Sequence, residues 1–112
     1  MKNIPESHQD LFTDQKKAFL FLATTMDDGT PQVTPVWFNT DEQNLFINSA
    51  KGRTKDRNMR ARPKIAVAIM DPQNPYRYIQ LRGEVVEITE QGAREHINTL
   101  AKKYMDKDVY PG

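Results

Sequence analysis

The sequence predicts a small, mainly β domain: an antiparallel barrel, closed or partly closed, with peripheral helices. Three observations carry that reading. Five short segments rich in β-branched and aromatic residues follow one another, punctuated by Gly, Pro, Asn and Asp. Helix signals appear only at the two ends and once in the middle. The chain has 112 residues, which allows one domain, 1–112, and it shows no linker, repeat or low-complexity stretch.

Each element follows from its residues. Ser7 is placed to cap a short helix through about Thr13, with Asp10 in its first turn and Leu11 and Phe12 turned inward. Ala18 to Thr25 predicts a strand apolar on both faces, as in a barrel wall that is also covered outside. Asp27-Asp28-Gly29-Thr30 predicts a hairpin turn, because Asp-Gly tolerates positive φ. Gln32 to Phe38 follows as a strand, Asn39 to Gln43 as a turn, and Asn44 to Asn48 as a short strand. The first half thus reads as a three-stranded antiparallel meander. Lys51 to Lys64 reads as a loop and then one to two helical turns, stopped by Pro63.

Ile65 to Met70 predicts the fourth strand. Ile65, Val67 and Ile69 share one face; Ala66, Ala68 and Met70 share the other, whose small residues admit a closely packed helix or flat ligand. Asp71 to Pro75 is a rigid turn. Tyr76 to Ile88 is a long fifth strand whose apolar alternation shifts after Gly83, predicting a bulge or barrel corner there. Thr89 then caps a helix in which Ala93, Ile97, Leu100, Ala101 and Tyr104 recur at helical spacing.

Composition narrows the function. Sixteen Lys+Arg face fifteen Asp+Glu, a formal charge of +1, which excludes a globally basic nucleic-acid protein and an acidic disordered tail. The absence of cysteine excludes a disulfide framework, thiolate catalysis and cysteine-ligated metal. Two histidines, 88 positions apart, argue against a histidine metal site. Met1 to Ser7 carries no apolar run and predicts no signal peptide. Ala18 to Met26 is too short to span a bilayer. A cytoplasmic protein with no membrane partner is expected.

The charge is unevenly spread. Lys51, Arg53, Lys55, Arg57, Arg60, Arg62 and Lys64 place seven of the sixteen cations in fourteen positions, with Asp56 the only acid among them. That leaves nine cations against fourteen acids elsewhere. The run follows a strand end, contains Gly52 at a turn, and enters a helix. Backbone donors, the helix dipole and nearby cations together make an anion site, typically for phosphate, with Ser49, Arg53 and Lys55 in contact. No aromatic lies between Ser49 and Lys64, so a strand-tracking nucleic-acid groove is disfavoured. Trp37, the single tryptophan, fills core or forms one wall of an aromatic ligand pocket. Pro35 interrupts ladder donation and so places this stretch at an edge or a bulge, where backbone groups are free for a flavin ring. No nucleophile elbow is present. His8 and His96 read as surface residues on or near helices, and Glu84 and Glu87 as solvent-facing. Any reaction would be carried by a bound cofactor.

Six pieces, in order and spacing, resemble one family across essentially the whole chain: Ile4-Pro5-Glu6-Ser7-His8; Ala23-Thr24 with Asp28-Gly29-Thr30-Pro31-Gln32; Pro35-Val36-Trp37-Phe38; Gly52-Arg53-Thr54-Lys55-Asp56-Arg57-Asn58-Met59; Asp71 through Tyr78; and Arg82-Gly83-Glu84-Val85. The chain resembles the pyridoxamine 5′-phosphate oxidase-like superfamily of FMN-binding split barrels, above all its small oxidoreductases dependent on FMN or coenzyme F420. The resemblance implies a homodimer of six-stranded split barrels with two cofactor sites at the interface. It implies that Arg53 and Lys55 hold the cofactor phosphate, with Asn48 and Ser49 beside it. Arg57 and Asn58 complete the basic wall, and Pro35, Val36 and Trp37 lie along the ring system. It implies hydride transfer between the ring and a small conjugated substrate, and assigns no catalytic side chain. The family pattern continues past Tyr110-Pro111-Gly112 into one more strand, so a barrel one strand short, with an exposed edge, is expected here. The extra C-terminal substrate residues of the larger true oxidases are outside the resemblance. Two other readings stay open: a non-enzymatic flavin or tetrapyrrole carrier on the same fold, and a small barrel binding nucleic acid through its basic run.

Overall fold

The computed structural model describes residues 4–41 and 43–112. The readings made on Met1 to Asn3 and on Glu42 fall outside the described residues. A 3₁₀ helix, Glu6–Phe12, leads into β1 (Phe19–Thr25), β2 (Pro31–Val36), β3 (Phe38–Thr40) and β4 (Leu45–Ile47). Helix α1 (Thr54–Ala61), β5 (Lys64–Asp71), β6 (Asn74–Glu84) and α2 (Ala93–Met105) complete the order. The strands form a four-stranded antiparallel sheet, β2-β1-β5-β6, and a separate two-stranded sheet, β3-β4. The barrel wall is therefore split in two. Among the described residues no helix is long and apolar enough to cross a membrane.

The core lies between the two sheets. Leu20 and Leu22 of β1 and Val67 and Ile69 of β5 pack with Phe38 of β3 and with Leu11 and Ala18 ahead of β1, all nearly inaccessible. Leu45 and Ile47 of β4 and Met59 of α1 close the far side. Burying each large apolar side chain contributes roughly 1.5–3 kcal/mol, so this cluster supplies much of the drive to fold.

Several expectations are corrected by the pairing. The first half is not a three-stranded meander: the second neighbour of β1 is β5, and β3-β4 is a hairpin apart. The stretch from Gln32 to Phe38 divides at Trp37. Val36 pairs with Leu20, near the start of β1, and the carbonyl of Ala18 is taken by the Tyr104 hydroxyl at 2.8 Å. With no partner left on β1, Phe38 pairs with Ile47 instead. Gly83 is no bulge. It pairs with Ile65 in unbroken register, and the register shift falls between Met70 and Asp71. There the Asp71 carboxylate accepts the Gln73 amide at 2.9 Å and closes the turn. The strand ends at Glu84 because its partner Lys64 begins β5.

The caps differ too. Ser7 sits inside the 3₁₀ helix and bonds His8 Nδ1 at 2.8 Å, while the Pro5 carbonyl accepts the His8 amide. Thr89 Oγ1 accepts from the Gln91 amide at 3.0 Å and shapes a turn; the last helix begins after Gly92 at φ 76°. The Asp-Gly hairpin is as expected: Gly29 takes φ 86° and Asp28 accepts the Thr30 amide and hydroxyl.

The outer face of the four-stranded sheet is apolar but not covered. Direct pairs Phe19–Met70–Tyr78, Phe21–Ala68–Gln80 and Ala23–Ala66–Arg82 line up across β1, β5 and β6, with Pro35 and Val33 beside them on β2. Phe19 is 43% exposed, Val33 64% and Tyr78 57%.

Candidate functional site

The basic run folds as the sequence suggests. Gly52 turns the chain at φ 86°, a conformation costly for any residue with a Cβ. Arg53 is the N-cap of α1 and contributes no side-chain cap. The third helical residue, Asp56, instead reaches back, and its Oδ2 accepts the Gly52 amide at 2.8 Å. The carboxylate thus reaches past the N-cap to the amide before it, and no side chain of the N-cap caps the first amides of α1. Arg60 Nε donates to Asp56 Oδ1 at 3.0 Å and offsets the buried carboxylate. The Gly52 amide, more than the arginine, holds the Asp56 carboxyl below the usual carboxylate range.

Lys55 is half-buried, and burial, helped by the positive charge of Arg53, pushes its ammonium pKa down. Two cations held near each other at a helix N-terminus are unfavourable until an anion joins them. The Ser49 hydroxyl, at the strand end before this loop, is buried and has no hydrogen-bond partner. A buried hydroxyl without a partner costs of order 1–3 kcal/mol, so this oxygen would gain from any partner that reached it. Arg53 and Lys55 at the N-terminus of α1 have the chemistry to hold an anion such as a phosphate, and Ser49 lies a few residues before them in the chain. Two surface clefts, of about 510 and 580 Å³, are lined by none of Ser49, Arg53 and Lys55. In the single chain Arg53 is exposed and Lys55 half-buried, so this candidate cradle lies at the surface.

The other expected site residues are placed as follows. Arg57 folds back onto its own loop, donating to the Gly52 carbonyl and, at 3.3 Å, to Thr54 Oγ1. Asn58 is buried. Its amide donates to Thr24 Oγ1 at 3.0 Å and Met26 S at 3.3 Å, and its oxygen accepts from Arg62 at 3.2 Å. It ties α1 to β1 and points away from the cradle. Pro35 and Val36 alternate: Pro35 shares the outer face with Phe21, and Val36 packs inward on the core. β2 is an edge strand, as Pro35 suggests. The ladder bond from the Met26 amide to the Thr30 carbonyl sets the parity, so Pro31 and Pro35 fall where an amide would face outward. Trp37 is half-buried, stacked on Tyr104 at 5.2 Å and 11°, with Tyr110 edge-on at 5.9 Å. One wall of the indole is thus taken by the chain itself.

Asn48 joins the cradle to α2. Its amide donates to the Ala93 carbonyl at 2.9 Å and lies 3.4 Å from His96 Nδ1. His96, expected at the surface, is half-buried and bonds Asn39 Oδ1 through Nε2 at 2.9 Å. The signal for it was in the helical spacing: residue 96 shares the face of Ala93, Ile97 and Leu100.

Comparison with known proteins comes to the same fold. A family model described as pyridoxamine 5′-phosphate oxidase matches residues 4–111. A solved structure named F420 reductase is 34% identical, with 96% of this chain and 82% of that one covered and a TM-score of 0.84. An FAD-binding protein from Mesorhizobium loti superimposes at TM-score 0.65 and 21% identity, covering 92% of this chain and 77% of that one. A NimC/NimA family protein from Clostridium acetobutylicum does so at 0.66 and 21%, covering 92% and 73%. No curated protein matches.

Proposed function

The chain belongs to the pyridoxamine 5′-phosphate oxidase family, and from that premise we propose that it is an oxidoreductase using a flavin-type cofactor, FMN or coenzyme F420. The observation that carries this reading is the cradle of Ser49, Arg53 and Lys55 at the start of α1, whose free hydroxyl and paired cations call for an anion. The F420 reductase and the FAD-binding protein among the similar structures support a cofactor of this type. When bound, the ring supplies the redox chemistry, exchanging a hydride with a small conjugated substrate.

This chain's residues bind and orient. Arg53 and Lys55 neutralise the phosphate, the first amides of α1 and the Ser49 hydroxyl donate to it, and Arg57 shapes the loop that carries them. The outward carbonyl groups of β2, around Pro35, offer acceptors along a flat ring, and Trp37 stands at the end of that edge. Asn48 and Asn58 hold the cradle's two flanks in place.

The partner of the outer sheet face is a second copy of the chain. Phe19, Phe21, Val33, Pro35, Ala68 and Tyr78 form an apolar surface, and pairing two such faces would wall in a ligand that the single chain holds only at its surface.

The test is titration of the purified protein with FMN and with coenzyme F420, read by visible spectrum. Binding of one of them, lost or greatly weakened in Lys55→Ala, is expected. Failure of both to bind would overturn the reading. Steady-state turnover with conjugated acceptors then separates an enzyme from a carrier.

A further inference from the structure

His96 lies outside the cradle yet is bonded to the strand end that carries it. Three contacts define its state. Asn48 Nδ2 donates to the Ala93 carbonyl at 2.9 Å, and since a carbonyl only accepts, the Asn48 amide can face one way only. The same nitrogen meets His96 Nδ1 at 3.4 Å, so Nδ1 must accept and carries no proton. Nε2 then holds the proton and donates to Asn39 Oδ1 at 2.9 Å. The ring bridges α2 to β3 and to the residue before Ser49, and the edge of Phe46 covers it at 6.3 Å.

We propose that His96 is a positioning residue for the anion cradle: while neutral, it locks Asn48 and so sets the Ser49 hydroxyl for a ligand phosphate, and protonation at Nδ1 releases that lock. This rests on the cofactor reading above for the identity of the ligand. A proton on Nδ1 would face the Asn48 amide donor, leaving two donors opposed and one bond lost.

The surroundings favour the neutral ring. Among the described residues, the groups that meet it from β3, β4 and the strand end are Asn39, Phe46 and Asn48, none of them charged. On its own helix the adjacent Arg94 and Glu95 are exposed. The exposed Asp41, beyond Asn39, is occupied with the Gln43 and Asn44 amides. Burial alone pushes the imidazole pKa down. These surroundings and the contact with the Asn48 amide favour the neutral ring, and charging it on acidification would loosen the strand end.

The experiment uses the full chain in two readouts. Nitrogen-15 NMR of the cofactor-free protein is expected to show an Nε2-protonated His96 titrating below about 6.5. The backbone amides of Asn48 and Ser49 should shift at the same midpoint. FMN affinity is then measured from pH 7.5 downward for the wild type and His96→Gln. The cofactor's own phosphate, with a second pKa near 6, weakens binding equally in both. The wild type is expected to lose about fivefold more across the His96 midpoint, the scale of one hydrogen bond. An Nδ1-protonated ring, or equal pH slopes in the two proteins, would overturn the proposal. If no cofactor binds at any pH, the cofactor reading fails by itself. The proposal is then decided by the Asn48 and Ser49 amides, which overturn it if they do not move with His96. The same NMR readout decides the matter if His96→Gln does not fold.

Discussion

Lys103 Nζ donates to the Phe38 carbonyl at 2.8 Å and lies 4.1 Å above the centroid of that same residue's ring. One ammonium thus clamps both the backbone and the side chain of the residue where the chain passes from one sheet to the other. Asp14, 3.7 Å away, supplies the counter-charge. Burial pushes the Lys103 pKa down, with Asp14 acting against it.

Lys103→Ala removes the clamp and the buried stem together. It is expected to lower stability by about 2 kcal/mol, the cost of a charge-assisted hydrogen bond with some lost packing. Urea denaturation checks this; an unchanged midpoint would show that the clamp contributes nothing.

Tyr104 gives a pH signature. Its hydroxyl donates to the Ala18 carbonyl at 2.8 Å, and burial pushes its pKa up to about 12. A pKa raised above the unfolded value of about 10 means the folded state holds its proton longer. The stabilisation is therefore complete below pH 10 and is lost as pH rises towards 12. Tyr104→Phe should be less stable than the wild type at pH 8, and the gap should shrink between pH 10 and 12. Taking the difference between the two proteins cancels the opposing effect of Lys103.

Asp56 ties the Gly52 turn to α1. Asp56→Ala is expected to cost about 1 kcal/mol, as loss of a helix cap does, and to weaken phosphate binding by loosening the loop. The carboxyl pKa is depressed in the folded state, so its contribution is present above the unfolded value and lost as pH falls through the folded one. The stability gap to the alanine variant should therefore narrow in acid, which thermal melts below pH 4 would show.

Much of this was legible in the sequence because it is local. The Asp-Gly turn, the Pro63 stop and the Ile65–Met70 alternation depend on neighbours a few residues away. The seven-cation run also marked the loop and helix over Lys51 to Lys64. What was not legible depends on distant pairing. Trp37 breaks its strand because β1 has run out and Tyr104 has taken Ala18, a residue 86 positions away. Gly83 looked like a bulge because glycine often marks one, yet Ile65 gives it an ordinary partner. Asn58 lies in the basic run, but its amide is claimed by Thr24, which only tertiary packing brings near.

The outer sheet face carries the prediction on assembly. Ala68 sits at its centre, between Phe21 and Gln80. Ala68→Arg would place an unpaired charge there without touching the core side of β5. The wild type is expected to sediment as a dimer and the variant as a folded monomer. A monomeric wild type would remove the second copy from the account.

The central claim, that Arg53 and Lys55 hold a cofactor phosphate, is tested most directly by the ratio of FMN to riboflavin affinity. The two ligands share a ring and differ only in the phosphate, so the ratio isolates the cradle. The account predicts that the wild type binds FMN at least about a hundredfold tighter, and that Arg53→Ala/Lys55→Ala removes most of that preference while riboflavin affinity stays the same, each charge-assisted contact being worth about 1.5–3 kcal/mol. Equal affinities in the wild type, or a ratio unmoved by the two substitutions, would contradict it.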